Sequence, residues 1–327
     1  MIKSFVAAMA LVLATSAANA SDKIKISELN WMTGSMLAYV DAYIIQHGYG
    51  YVVEVVPGGH EAATTAMIAK GEPNIVPEAW QSLLPAAYAD AVASGKLETV
   101  NTEVISEAGE GFWVPGYFLT NYPEIDTFEK LLERPDLFPH PDDASKGAFY
   151  TCPSQWNCHI VNANLYKAFD MEAKGWLLVD PGSAPALEAA WTKKVAQGDN
   201  IVGYWYAPST MPAKLDMVMI PTQAEFAGQD NWKCMTDKES TCDTYVASPY
   251  PASVTMVVTT KDVDSQIKTY LSKRKLTGAQ ANDMLMYGEE NQAVAQEVAM
   301  EFLDRYSDVW QSWVPQSVAE KVTKSLE

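Results

Sequence analysis

Apolar and polar positions alternate along Ile24-Lys25-Ile26-Ser27-Glu28-Leu29, which predicts a half-buried strand ending at Asn30-Trp31. A helical pattern follows from Ser35 to His47, then a strand from Tyr51 to Val56. A helix from about His60 to Lys70, a short strand to Pro77 and a helix from Ser82 to Gly95 complete a first unit. Strands alternating with helices predict a mostly parallel sheet flanked by helices. The scheme then recurs, with a strand near Ala148 to Thr151, a helix from about Ile160 to Phe169 and a strand at Trp176. A helix from Ala184 to Ala196 and a strand at Ile201 follow. The apolar strand from Val254 to Thr259, and helical stretches Val263 to Leu271 and Thr277 to Tyr306, have no counterpart in the second unit. They are expected to return to the first. The fold class is therefore α/β with two lobes, which suits a chain of 327 residues, more than one core usually holds. The expected division is 21–118 and 251–327 for lobe one and 119–250 for lobe two. Crossings near Gly116 to Thr120 and Ser248 to Ala252 would form a hinge that permits closure.

The two units share text as well as pattern. Tyr51-Val-Val-Glu-Val-Val-Pro-Gly-Gly leads through an Ala-rich helix to Lys70-Gly71, Asn74-Ile75-Val76 and Trp80. Trp176-Leu-Leu-Val-Asp-Pro-Gly-Ser leads likewise to Gln197-Gly198, Asn200-Ile201-Val202 and Trp205. Trp31 and Trp80 are 49 positions apart, as are Trp156 and Trp205. Ligands of open α/β sheets bind outside the carboxyl ends of the strands. Four indoles placed there, two from each lobe, would wall a box for a small methylated cation, which aromatic faces attract through their quadrupole. A single tryptophan is more often a core residue; the doubled positions favour the wall. Glu110, among glycines in Glu107-Ala-Gly-Glu-Gly-Phe-Trp-Val-Pro-Gly-Tyr117, is the candidate carboxylate of the box, with a solvated loop carboxylate as the alternative. Trp113 and Tyr117 are read as hinge packing. Asn157 stands before a helix start, which suits the negative end of a zwitterion.

Composition narrows the setting. Residues 1–20 read as an export signal, with Lys3, an apolar run from Phe5 to Leu13 and Ala18-Asn19-Ala20 as the cleavage site. No cysteine follows to accept a lipid, so a free periplasmic protein is expected. A net charge of −18 argues against nucleic-acid and anionic-membrane partners. In an oxidising compartment the close pairs Cys152 with Cys158 and Cys234 with Cys242 read as local disulfides, since neither spacing suits zinc. No metal is expected. Asp136, Asp142 and Asp143 could bind calcium, but a solvated acidic loop is the preferred reading. The histidines (His47, His60, His140, His159) are scattered, and no catalytic or phosphate-loop motif is present, so neither an enzyme nor a cofactor is expected.

Cys152-x3-Trp156-x-Cys158, Glu78-Ala-Trp80, Gly203-Tyr-Trp205-Tyr-Ala-Pro and Tyr250-Pro-Ala together resemble the periplasmic substrate-binding proteins of glycine betaine and related quaternary-amine ABC importers, over essentially the whole mature chain. The resemblance implies a two-lobed periplasmic binding protein of type II, a monomer that closes on its ligand and delivers it to an inner-membrane ABC permease. It implies Trp80, Trp156 and Trp205 as cage walls, with Trp31 as a fourth. In the glycine betaine branch a histidine stands four positions after the tryptophan corresponding to Trp80; here that position is Leu84. With Glu110 offered instead, an acid-bearing ligand is disfavoured by like-charge repulsion. Trimethylamine N-oxide, whose oxygen could share a proton with Glu110, is the first expectation. Choline comes next, and glycine betaine follows if the helix start at Asn157 holds its carboxylate. More distant alternatives are a sugar or amino-acid receptor.

Overall fold

The structure, a computed structural model, describes residues 23–85, 87–236 and 244–327. The export signal expected at 1–20 lies outside the described residues. The alternating segment forms β1 (Lys23–Glu28), joined by β2 (Val52–Pro57), β3 (Ile75–Trp80), β4 (Leu97–Asn101), β5 (Gly109–Pro115), β6 (Gly147–Tyr150), β7 (Trp176–Val179), β8 (Gly203–Ala207), β9 (Met217–Met219) and β10 (Thr255–Thr260). They form two five-stranded sheets, ordered β2-β1-β3-β10-β4 and β7-β6-β8-β5-β9.

The two sheets have one plan. In each, three parallel strands are followed by a single antiparallel strand in the fourth place, β10 in the first sheet and β5 in the second. Each sheet is thus mixed. The flanking helices repeat too: His60–Lys70 stops at Gly71 and Ala184–Gln197 stops at Gly198, both glycines in the left-handed conformation that ends a helix without a Cβ penalty. These are the glycines of the shared text. At the start of the second helix the Ser183 side chain accepts the N–H of Ala186.

The return segment packs in the first lobe, where Ile267, Tyr270, Met284, Val298 and Phe302 join Ile26, Met36 and Leu37 in one core. The stretch expected as one helix from Thr277 to Tyr306 is two, Gly278–Glu290 and Ala295–Arg305. Gln292, at φ 52, turns the chain between them. The first passage between sheets also differs from expectation. β5 already pairs with β8 and β9, so the chain has changed sheets before Gly109. Gly116 to Thr120, expected as the crossing, lies instead in a helix, Gly116–Asn121, inside the second lobe. Val104 and Ser106 still bond to Thr255 and Leu276 of the first lobe, which leaves Glu107 and Ala108 as the link. Glu107 takes a positive φ of 64 there.

Candidate functional site

β1 and β3 run parallel, so their carboxyl ends emerge on the same side of the first sheet. Trp31, just past β1, and Trp80, the last residue of β3, both donate their indole N–H to one oxygen, Glu78 Oε1, at 2.9 Å each. Glu78 is fully buried, and its second oxygen has no hydrogen-bond partner among the described residues. Burial pushes its pKa up; the two indoles, Thr33 and the charge of Arg274 act against this. Arg274 is itself fully buried, 3.0 Å from Asp41 and bonded to the carbonyl of Pro77 on β3. Tyr270 donates to the same Asp41 oxygen. Arg274 and Tyr270 of the return segment, with Asp41 of helix Met32–Tyr43, therefore brace the strand that carries Glu78 and Trp80.

The second lobe contributes from β6 and β8. The Cys152–Cys158 disulfide closes the loop after β6 and fixes the turn bearing Trp156. Trp156 donates its indole N–H across the cleft to Asn30 at 3.1 Å. On β8, side chains alternate between faces. Tyr204 and Tyr206 face the cleft, and the Tyr206 ring stands edge-on to Trp80 (5.9 Å) and to Trp156 (5.8 Å). These residues, with His60, Leu83, Asn157 and Cys158, line one pocket between the lobes.

A model of the substrate binding domain of ABC-type glycine betaine transport systems matches residues 22–305. The chain belongs to this family. Solved structures similar to this betaine-type substrate-binding domain include an ABC-transporter choline binding protein in complex with choline, 15 % identical over 93 % of this chain and 98 % of that one, TM-score 0.69. Others are a glycine betaine/L-proline-binding protein from Borrelia burgdorferi (13 %, 92 % and 99 %, 0.68) and lactococcal OpuAC closed on glycine betaine (16 %, 90 % and 100 %, 0.62). At such identities the likeness shows the shared fold. No curated protein sequence matches the chain significantly.

In this substrate-binding protein the structure brings Trp31, Trp80 and Trp156 together, and departs from expectation at Trp205 and Glu110. Trp205 points to the opposite face of β8, packs against Trp191 at 6.1 Å and bonds Ser209. It does not line the first pocket but lines a second cleft together with Trp31, Trp156 and Tyr206. In the first pocket Tyr206 stands beside Trp31, Trp80 and Trp156. The shared Asn-Ile-Val carries this register: Trp80 lies six positions after Asn74, and Tyr206 six positions after Asn200. The equal 49-residue gaps were one position out of register.

Glu110 lies across the ladder from Tyr206 and is 4 % exposed, yet it does not line the pocket. It accepts from Tyr204 at 2.8 Å and from Ser82 of the other lobe, behind the aromatic wall. Burial raises its pKa to about 7, against both hydroxyl donors. Leu84 is also outside the lining and packs in a core of lobe one. Trp113 is buried beside Trp205, and the Tyr117 hydroxyl bonds the carbonyl of Asp199. Cys234 is disulfide-bonded; Cys242, its expected partner, lies outside the described residues. Asp136 is paired with Arg134, and no metal-ligand cluster occurs among the described residues.

Proposed function

We propose that this protein is the periplasmic receptor that captures a small methylated ammonium compound and hands it to an inner-membrane ABC permease, acting as a monomer and not as an enzyme. The observation that carries this reading is the convergence of Trp31 and Trp80 from one lobe with Trp156 and Tyr206 from the other, around a pocket without a charged side chain in its lining. Each desolvated ring contributes on the order of 0.5–2 kcal/mol to holding a methylated cation. When ionised, Glu78 adds to this, because an indole that donates to a carboxylate carries a more negative face. Trimethylamine N-oxide is our specific assignment. It is small, its three methyl groups match the rings, and no lysine or arginine lines the pocket to neutralise the carboxylate of glycine betaine. Choline is the second reading, favoured by Asn157, whose buried Oδ1 lacks a donor among the described residues and would suit a hydroxyl.

Calorimetric titration of the mature protein, unfolded and refolded to strip carried ligand, with the N-oxide, choline and glycine betaine tests both readings. Tight binding of the N-oxide alone supports the assignment. Preference for choline transfers it to the second reading, and no binding of any of the three removes the receptor reading.

A further inference from the structure

Most side-chain donors in the pocket wall are already committed. The indole N–H groups of Trp31 and Trp80 go to Glu78, that of Trp156 to Asn30, the Tyr204 hydroxyl to Glu110 and the Asn157 amide to the carbonyl of Leu83. His60 differs. It lines the same pocket and is 3 % exposed, yet neither ring nitrogen has a hydrogen-bond partner among the described residues. An unmet buried polar group is costly, on the order of 1–3 kcal/mol. Such a cost in a ligand pocket is recovered when a ligand supplies the partner.

The side chain is held in place. His60 opens helix His60–Lys70, its carbonyl accepts the Thr64 hydroxyl, and its ring lies 6.2 Å from that of Trp31. Burial lowers its pKa to about 4, so at neutral pH the imidazole is uncharged, with one N–H donor and one lone pair. A neutral ring stands beside a quaternary nitrogen without the repulsion an imidazolium would bring. Aromatic walls recognise methyl groups and positive charge, and they are indifferent to what the fourth substituent is. Something else must read the oxygen.

We propose that His60 donates its free ring N–H to the oxygen substituent of the bound ammonium compound, and so separates oxygen-bearing trimethylammonium ligands from plain tetraalkylammonium ions. This rests on the receptor reading above. It also places the oxygen-reading group on a different element from Leu84, where the resemblance implies a histidine.

The test is calorimetric titration of wild type, His60→Phe, His60→Gln and Tyr206→Phe with tetramethylammonium, trimethylamine N-oxide and choline. In His60→Phe the better bound oxygen ligand should lose about 10- to 100-fold in affinity, as for a lost hydrogen bond of about 1.5–3 kcal/mol to a charged group. Tetramethylammonium should change less than about threefold on the same scale. His60→Gln, which keeps a donor, should recover part of the loss, and Tyr206→Phe should leave the ratio between ligands unchanged. Equal losses for all ligands, no loss, or a ratio that moves with Tyr206→Phe instead would overturn the proposal while leaving the receptor reading standing. A wild type that binds none of the compounds overturns both. Should His60→Phe not fold, imidazole nitrogen resonances of the wild type decide: one must shift with the N-oxide or choline and not with tetramethylammonium.

Discussion

The two lobes offer the same strand plan to the pocket and hold their aromatic walls by different means. In lobe one a single buried carboxylate, Glu78, ties both indoles to the strand that bears one of them, and Arg274 braces that strand from behind. In lobe two each wall has its own anchor: the cross-linked loop holds Trp156, Glu110 holds Tyr204, and Tyr206 sits edge-on to Trp156. A shared topology fixes where side chains emerge. It leaves open what anchors them, and the anchors decide which losses are local and which spread.

Four experiments bear on this contrast, from the largest effect to the smallest. Trp205→Ala deletes a core indole and should cost about 3–5 kcal/mol of stability, by analogy with other large-to-small core changes. Under conditions where the variant remains folded, its affinity should stay within a few-fold of wild type; a loss matching that of Trp156→Ala would return Trp205 to the wall. Glu78→Gln frees or weakens two indoles at once, so titration should show a drop of about 10- to 100-fold, consistent with hydrogen bonds to a charged group worth about 1.5–3 kcal/mol. An unchanged affinity would mean that packing alone sets those rings. Replacing Cys152 and Cys158 together with Ser should lower stability by about 2–3 kcal/mol in the chain-entropy picture, visible as a lower urea midpoint, with a smaller effect on binding. If the urea midpoint does not move, the loop is fixed by its other contacts.

Glu110→Gln should act least at a fixed pH and most on the slope. Its folded pKa of about 7 lies above the ordinary carboxyl value, so its contribution is complete below about pH 4.5 and is lost as pH rises through 7. Urea midpoints of wild type should therefore fall between pH 5 and 7 relative to those of the variant. Parallel profiles would show that Glu110 titrates normally.

The element pattern was legible because strand and helix periods are local. The repeated Lys-Gly and Gln-Gly pairs even marked where two helices stop. What escaped was register and depth. Trp205 and Tyr206 are adjacent in sequence and face opposite sides of β8, so a one-residue shift in matching the repeats decides which of the two lines the first pocket. Glu78 stood in plain view beside Trp80, but its tie to Trp31 spans 47 residues and exists only in the folded chain. Glu110 sat among glycines that suggested ligand approach, and its place on β5 turned it toward Tyr204 and Ser82 instead. His60 looked like one scattered histidine of four because burial leaves no mark on a single sequence.

The placing of β10 has a consequence for how the molecule is made. It lies between β3 and β4, so the first sheet remains split until residues 255–260 arrive, long after its other four strands have been synthesised. The second lobe, whose five strands all fall between Gly109 and Met219, can assemble sooner. Pairings so distant in sequence are slow to form. A nascent chain would therefore carry an unfinished amino-terminal half behind it until nearly its whole length is available, and a chain cut short before Thr255 would lose the lobe that begins it.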